Sequence, residues 1–356
     1  MSLRRTPVSL FLLTTGLLFA VTFSLFVFAE RESLLTQPEP YIESLKRTGS
    51  ASHLIAMATW KHFLARDPLC RGAEALVIGS SRVGEVDDTV VGTSVCNLFI
   101  DGLSATGFTR VADDLPPPAP GRHPVMYVAI DHFWLWDKDE YDEVDLALLA
   151  RSRTLWKVWA VIRTLGFFNM SSLRETVRRF RDEGSGNLYY PDGHLTHPRY
   201  HARKRAGIHA DLSRAAIEDI VSASFKGRRV REAHLRAFET GVRHLAEKGY
   251  AVRVYWNPVP APYIASARRH FPELFQEPIA IVDRLATTLP LDRYLAGDQT
   301  LDSSRLGCTE WDYYDPSHVD ADCLRRLYRT AFREVTATPT TRVGADGDAT
   351  TRRTNP

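Results

Sequence analysis

Four short apolar runs, each followed at once by a glycine or polar residue, constrain the fold of this chain most strongly. They cover residues 75–78, 95–100 (interrupted by Asn97), 125–130 and 251–256 (which contains Arg253), and stretches with helical spacing of apolar residues follow the second, third and fourth. Short, continuous apolar runs are typical of parallel strands that are buried on both faces. Strands that alternate with helices predict an α/β fold, here a three-layer α/β/α arrangement around a mainly parallel sheet.

Helices are predicted between these strands and after the last of them. Apolar spacing places them at residues 104–114, 141–181, 210–225, 229–248, 263–275, 278–288 and 319–335. In a parallel sheet, ligands bind at the carboxyl ends of the strands. Ser81, Gly102, Asp131 and Asn257 each follow a predicted strand, so we expect them to converge on one edge of the sheet.

Two short motifs at opposite ends of the chain together predict a Ser-His-Asp triad. Gly79-Ser80-Ser81-Arg82 follows the first predicted strand, and Asp315-Pro316-Ser317-His318 leads into the last predicted helix. A serine hydroxyl becomes a good nucleophile when a base takes its proton, and a carboxylate fixes the tautomer of that base. Ser81, His318 and Asp315 suit these three roles.

Both motifs also have a purely structural interpretation. Ser317 and Asp320 can form a capping box at the start of the last helix, and the glycine turn can simply link a strand to a helix. The apolar strand before the serine and the order of the motifs along the chain favour the triad. No nucleotide-binding glycine motif is present.

The motifs resemble those of the SGNH, or GDSL-type, hydrolase superfamily. Gly79-Ser80-Ser81 is similar to its first block, with serine in place of aspartate, which aligns the nucleophile with Ser81. Residues 97–102 resemble the second block, which ends in the oxyanion-hole glycine, and residues 315–318 match the last block. The family's Gly-x-Asn-Asp block has no counterpart, because the corresponding strand ends in Asp131-His132.

The attacked carbonyl develops negative charge, which needs N–H donors in an oxyanion hole. We expect the backbone N–H groups of Ser81 and Gly102 to serve, because both glycine turns leave the backbone open to close approach. Asn257, after the fourth predicted strand, is a candidate for the missing third donor.

Four side chains beyond the first and third strands are candidates for substrate binding. Arg82 can contact an anionic group, Asp131 ends a strand that should face the site, and Phe133 and Trp134 can stack on a sugar or line an acyl pocket. Core packing is the alternative for the aromatic pair, and solvation is the alternative for Arg82. The basic run over residues 199–209 can hold an anionic polymer or lipid headgroups, or it is a solvated loop.

The chain begins with an uncharged apolar stretch over residues 7–29. These 23 residues follow Arg4-Arg5 and precede Glu30-Arg31-Glu32. About 20 apolar residues suffice for a helix to cross a bilayer, and leading basic residues favour a cytoplasmic N-terminus. We therefore predict a single-pass anchor in the cytoplasmic membrane within residues 1–30, with the rest of the chain periplasmic or extracellular. The alternative is a cleaved signal peptide, but the run is longer than is usual for one.

Three further parts follow the anchor: a juxtamembrane helical connector at 31–71, an SGNH-like catalytic domain at 72–336 and a disordered tail at 337–356. An overall balance of 44% hydrophobic and 25% charged residues with net charge +2 does not indicate nucleic acid as a partner. The four cysteines fit an oxidising compartment. Cys308 and Cys323 bracket the Asp315–His318 motif, either as a disulfide or as two separate thiols. No metal-binding pattern is present, and no metal or cofactor is expected.

Within the superfamily, an anchor combined with a Gly-Ser-Ser turn looks most like the membrane-anchored proteins of teichoic acid D-alanine transfer and alginate O-acetylation. That resemblance implies an extracytoplasmic serine acyltransferase that works beside a multi-span membrane O-acyltransferase. An acyl group would pass from an ester or thioester donor, through Ser81, to a polysaccharide or envelope polymer. The alternatives are an esterase that removes acyl groups and an inactive accessory protein that binds the polymer.

Overall fold

The computed structural model describes residues 14–19, 38–51, 57–136 and 187–332. The strands in these ranges are β1 (Ala75–Ile78), β2 (Val95–Asn97), β3 (Val125–Ile130), β4 (Leu188–Tyr189), β5 (Leu195–Thr196), β6 (Ala251–Trp256), β7 (Arg293–Leu295), β8 (Tyr313–Asp315) and β9 (His318–Val319). Five of them form a parallel sheet in the order β2-β1-β3-β6-β7. The pairs β4–β5 and β8–β9 are antiparallel hairpins outside it.

The helices in the described part of the chain are α1 (Pro38–Thr48), α2 (Met57–Leu64), α3 (Pro68–Gly72), α4 (Asp88–Val91), α5 (Ala105–Asp114), α6 (Pro198–Arg205), α7 (Arg214–Phe225), α8 (Glu232–Glu247), α9 (Ala261–His270), α10 (Pro272–Ala286), α11 (Gly297–Thr300) and α12 (Ala321–Ala331). Short 3₁₀ turns lie at Ser81–Val83, His132–Leu135, Ser303–Leu306 and Glu310–Asp312.

The helices cover both faces of the sheet. The chain moves from β1 outward to β2 and then returns past β1 to β3, so the direction of the connections reverses at β1. Right-handed crossovers therefore put α4 on one face and α5, α8 and α9 on the other, and α12 packs beside α4. This confirms the predicted α/β class with a parallel sheet between two helical layers.

Hydrophobic side chains pack on both faces of the sheet. Tyr127 and Tyr255 pack against Tyr328 and Phe332 at the end of α12. On the other face α5 and α8 approach closely, and Gly241 permits this, because a Cβ there would lie 2.6 Å from a ring carbon of Phe108.

The predicted strands and helices differ from the structure at a few boundaries. β2 ends at Asn97 and not at residue 100, and β7 was not predicted because its exposed first residue, Arg293, leaves no apolar run. The break between α9 and α10 falls at Phe271, ahead of Pro272, which suits the first helical position. The sequence prediction places that break just before Pro278, which instead lies inside α10.

The predicted connector contributes to the hydrophobic core of the domain. Tyr41 and Leu45 of α1 and Trp60 and Leu64 of α2 are buried, and the Trp60 ring meets the rings of Tyr41 and Tyr189 edge-on. The described parts of residues 38–71 therefore belong to the same folded unit as the sheet.

Residues 14–19, within the uncharged N-terminal stretch, are helical and exposed. In the ranges that the structure describes, no helix has the length and apolar character to cross a membrane. Most of the predicted anchor, the predicted helix at 141–181 and the predicted tail lie outside the described residues.

His132 lies in an aromatic cluster under the end of β3. Its ring stacks on Phe275 with centroids 4.6 Å apart and lies near Phe225 and Trp256. Burial, together with the nearby positive charge of Arg82, lowers the pKa of His132 to about 3. The imidazole is therefore neutral in the folded protein at any pH above this value.

Because the unfolded chain has an ordinary histidine with a pKa near 6.5, it binds a proton between about pH 3 and 6.5 that the folded chain does not. The free energy of unfolding should fall by up to about 1.4 kcal/mol for each pH unit below 6.5 through this residue. We expect His132→Phe to remove that part of the slope in denaturant titrations between pH 4.5 and 6.5. His123→Phe, at an exposed position, is the control. Equal slopes in wild type and His132→Phe would contradict the assignment.

Candidate active site

The turn after β1 presents Ser81 at the carboxyl edge of the sheet. Gly79 is required there, because a Cβ would lie 2.8 Å from a methyl group of Val83 and 3.1 Å from Ala129. Ser80 caps the following 3₁₀ turn, its Oγ accepting a hydrogen bond from the Arg82 N–H at 3.3 Å. Ser81 begins that turn and is half-buried.

His318 and Asp315 face each other across the β8–β9 hairpin. The Ser317 N–H and the His318 N–H both donate to Asp315 Oδ1, at 2.7 and 2.9 Å. α12 begins three residues beyond His318, and its N-cap is Asp320, which accepts from the N–H groups of Asp322 and Cys323. The alternative of a capping box headed by Ser317 is therefore wrong, and the motif forms a hairpin turn.

The structure brings together the three residues of the predicted triad. Ser81 Oγ lies 3.1 Å from His318 Nε2, and His318 Nδ1 lies 2.7 Å from Asp315 Oδ2. An ionised carboxylate only accepts hydrogen bonds, so Nδ1 carries the proton and Nε2 is left to accept from the serine hydroxyl. This is the tautomer in which an imidazole can act as a base towards Ser81.

Asp315 remains ionised at neutral pH. Its burial alone would raise the pKa, but hydrogen bonds from His318 and Ser317 and the positive charge of a protonated His318 lower the pKa to about 2. Ser317 Oγ adds a hydrogen bond to Asp315 Oδ1 at 2.9 Å. The carboxylate therefore holds its negative charge beside the imidazole.

The backbone N–H groups of Ser81 and Gly102 are the two predicted oxyanion donors. Neither Ser81 N–H nor Gly102 N–H donates a hydrogen bond within the described residues. Ile100 N–H donates to Gly79 O at 2.9 Å, and this hydrogen bond holds residues 97–102, which resemble the second block, against the nucleophile turn, residues 79–82. Gly102 has φ +65°, a conformation that favours glycine.

Three of the four predicted substrate-binding side chains are buried, and two of these, Arg82 and Asp131, pair with each other. Asp131 is 1% exposed and Arg82 is 8% exposed, and Arg82 Nη1 donates to Asp131 Oδ1 at 2.6 Å. Trp134 is fully buried against Phe108. Phe133 is half-buried, with its ring 5.9 Å from the Arg82 guanidinium. Asp131 and Trp134 are therefore unavailable to a ligand, as the core-packing alternative has it for Trp134.

Asn257 takes part in the same buried set. Its Nδ2 donates to Asp131 Oδ2 at 3.1 Å and to Ala129 O at 3.5 Å, and its side chain is fully buried. The amide donors are engaged inside the domain, so the structure does not support Asn257 as a third oxyanion donor.

Two buried carboxylates, whose role here the sequence did not indicate, hold the hairpin. Glu85 accepts from the Ala321 N–H at 3.0 Å and from His201 Nε2 at 3.0 Å. Asp320 accepts from Lys204 Nζ at 2.6 Å and from Tyr200 OH at 3.1 Å. Both carboxylates therefore connect the hairpin region to α6.

The basic run over residues 199–209 is largely this helix, so the expected loop is helical. Tyr200, His201 and Lys204 face inward, whereas Arg199, Arg203 and Arg205 are exposed. The inward residues follow helical spacing, with Pro198 at the first position, and this spacing was the signal available in the sequence. The charged side chains on the inner face of α6 therefore stabilise the fold by pairing with buried carboxylates.

Lys204 also occupies a small acidic cluster. Carboxylate oxygens of Asp312, Asp320 and Asp322 lie within 4.8 Å of one another. Lys204 Nζ is 3.8, 2.6 and 3.0 Å from them, and Arg326 donates to Asp312 at 2.6 Å. The lysine and arginine side chains thus supply the positive charge that this cluster needs.

Tyr314 packs against the catalytic histidine candidate. Its ring stacks on His318 with centroids 5.1 Å apart and 17° between the planes. The Tyr314 ring also lies near the rings of His197, with centroids 4.6 Å apart, and Tyr200, with centroids 5.4 Å apart. The stack restricts rotation of the imidazole and so preserves its geometry towards Ser81.

Lys61 of α2 binds the backbone at the start of residues 97–102. Its ammonium donates to Asn97 O at 2.7 Å and to Gly193 O, and it lies 4.0 Å from the Trp60 ring centroid. Burial lowers the pKa of Lys61 well below its usual range, against the attraction of Asp192 and Asp101.

Disulfides join all four cysteines: Cys308 to Cys323 and Cys70 to Cys96. The first is one of the two open possibilities for that pair, and it fastens the segment before the hairpin to α12. The second joins α3 to β2 and was not predicted.

No protein-family model matches the chain, and a search of curated proteins finds no match.

Removing the Cys308–Cys323 disulfide should loosen the hairpin that carries Asp315 and His318. Replacing both cysteines by serine should lower the free energy of unfolding by about 3 kcal/mol, because the closed loop constrains the unfolded chain. It should also slow labelling of Ser81 by a fluorophosphonate, a reagent for activated serines.

The Cys70→Ser, Cys96→Ser pair is the matched control. We expect it to lose a similar stability in denaturant titrations, about 3 kcal/mol, while the folded protein keeps the wild-type labelling rate. Equal labelling rates in both double variants would contradict a role of the first disulfide in site geometry.

Proposed function

We propose that this protein is a membrane-anchored, extracytoplasmic serine acyltransferase of the SGNH type that modifies a polysaccharide or another envelope polymer. The observation that carries the proposal is the continuous hydrogen-bonded chain from Ser81 through His318 to Asp315 at the carboxyl edge of the sheet. The N–H groups of Ser81 and Gly102 support the same chemistry, because an acyl transition state needs such donors.

In the proposed first half-reaction, Ser81 Oγ attacks the carbonyl carbon of an acyl ester or thioester while its proton passes to His318 Nε2. The negative carbonyl oxygen accepts from the Ser81 and Gly102 N–H groups. The bond to the alcohol or thiol then breaks, and the leaving group takes the proton from His318. Ser81 is left acylated, and Asp315 has stabilised the transient imidazolium.

In the second half-reaction, a hydroxyl of the polymer gives its proton to His318 Nε2 as its oxygen attacks the acyl carbon. The bond to Ser81 Oγ breaks, and Ser81 recovers the proton from His318. If water replaces the polymer hydroxyl, the same residues release a free acid, which is the esterase alternative.

Two observations support a location outside the cytoplasm. Both pairs of cysteines form disulfides, which persist in oxidising compartments. The uncharged residues 7–29, preceded by two arginines, favour an anchor with a cytoplasmic N-terminus. A multi-span O-acyltransferase that supplies the acyl group is the partner that the resemblance implies.

Fluorophosphonate labelling of the full chain in detergent tests the activated serine. Wild type should be labelled, and Ser81→Ala should lose the label completely because the reacting oxygen is gone. Ser94→Ala, at an exposed serine before β2, should be labelled like wild type. Label retained in Ser81→Ala, or none in wild type, would count against the proposed chemistry and favour the accessory-protein alternative.

A product assay distinguishes transfer from hydrolysis. With a chromogenic acetyl ester and an oligosaccharide, wild type should form new O-acetyl esters detectable by mass spectrometry. Asp315→Asn should lower the rate by about 10⁴-fold, since loss of the carboxylate favours the wrong histidine tautomer. If free acetate were the sole product, the protein would be an esterase and not an acyltransferase.

A further inference from the structure

The residues on both sides of Ser81 bind one buried carboxylate. Ser80 Oγ donates to Asp131 Oδ2 at 2.6 Å, and Arg82 Nη1 donates to Asp131 Oδ1 at 2.6 Å. Asp131 stands directly after β3, which pairs with β1 in the sheet. The backbone of the nucleophile turn is thus connected, before and after Ser81, to the end of the neighbouring strand.

The surroundings of Asp131 keep this arrangement in place. Asn257 Nδ2 adds a third hydrogen bond at 3.1 Å, and the Asp131 side chain is fully buried. Burial alone would lower the pKa of Arg82, but the adjacent Asp131 charge outweighs it and raises the pKa, so the guanidinium is charged. A buried ion pair of this kind loses much when either partner is removed, because the other charge is left uncompensated.

We propose that Asp131 is a positioning residue for the nucleophile. It acts through Ser80 and Arg82 and keeps Ser81 Oγ within hydrogen-bond reach of His318 and the Ser81 N–H aligned for the oxyanion. This inference rests on the proposed function, and it predicts a loss in the rate of the chemical step and not in binding. Misplacement of a reacting atom by about 1 Å can lower a rate by about 10²-fold.

The test is the kinetics of fluorophosphonate inactivation of the full chain, resolved into the maximal inactivation rate and the half-saturating probe concentration. Asp131→Asn keeps the size of the side chain but removes its charge and puts a donor in place of one acceptor oxygen. We expect the maximal rate to fall by about 10²-fold and the half-saturating concentration to stay within about twofold.

Asp114→Asn is the matched control for stability. Asp114 accepts from Arg66 Nη2 at 2.9 Å and also contacts His62, so it too is a little-exposed carboxylate in an ion pair. It lies at the end of α5, a helix that starts near the carboxyl edge of the sheet and runs towards the opposite edge. We expect this variant to lose stability and, while folded, to keep the wild-type inactivation rate.

Ser80→Ala makes the inference testable even if Asp131→Asn does not fold. It removes one of the two connections and should lower the maximal rate by about tenfold, with no further loss when combined with Asp131→Asn. A wild-type rate in folded Asp131→Asn or in Ser80→Ala would overturn the positioning role while leaving the proposed function intact. Absence of Ser81-dependent labelling in wild type would overturn both.

Discussion

The hydrogen bond between Ser81 and His318 joins residues that are 237 positions apart, and the whole site depends on it. Its two partners lie on elements of different kinds. Ser81 follows a central strand of the buried sheet, whereas His318 lies on a two-stranded hairpin that shares no ladder with that sheet. A hairpin of this size is not stable alone in water. Its position is therefore imposed by contacts outside its own backbone.

Buried carboxylates provide those contacts. Glu85 lies just beyond the nucleophile turn and accepts from the first residue of α12, so it links the two halves of the site directly. Asp320 caps the N-terminus of α12 and binds Lys204. A buried carboxylate is tolerable only when donors satisfy its oxygens, and α6 supplies donors to both. One basic helix thus fastens the hairpin to the sheet edge, and the Cys308–Cys323 disulfide fastens it from the other side.

Features that depend on local sequence were predictable. The apolar runs of β1, β3 and β6 stand out in the sequence, and the serine turn and the Asp-x-x-His motif are short and contiguous. The direction of a side chain after a strand end is different, because tertiary neighbours decide it. Asp131 looks like a site residue by position and is buried in the structure. Glu85 carries no motif, and Asp320 stands out in the sequence only as a helix-capping candidate, so only packing identifies them as the carboxylates that hold the hairpin.

The burial of Arg82 and Asp131 follows from the exposure of Ser81. Ser80 is in extended backbone, and Ser81 and Arg82 begin a 3₁₀ turn, in which successive side chains point about 120° apart around the axis. When Ser81 faces the open edge, its neighbours Ser80 and Arg82 therefore turn towards the interior. A buried hydroxyl and a buried guanidinium both need acceptors. Asp131, directly after the adjacent strand β3, supplies an oxygen to each of them and the balancing negative charge. The polar residues that the sequence suggests as ligand contacts thus hold the turn that presents Ser81.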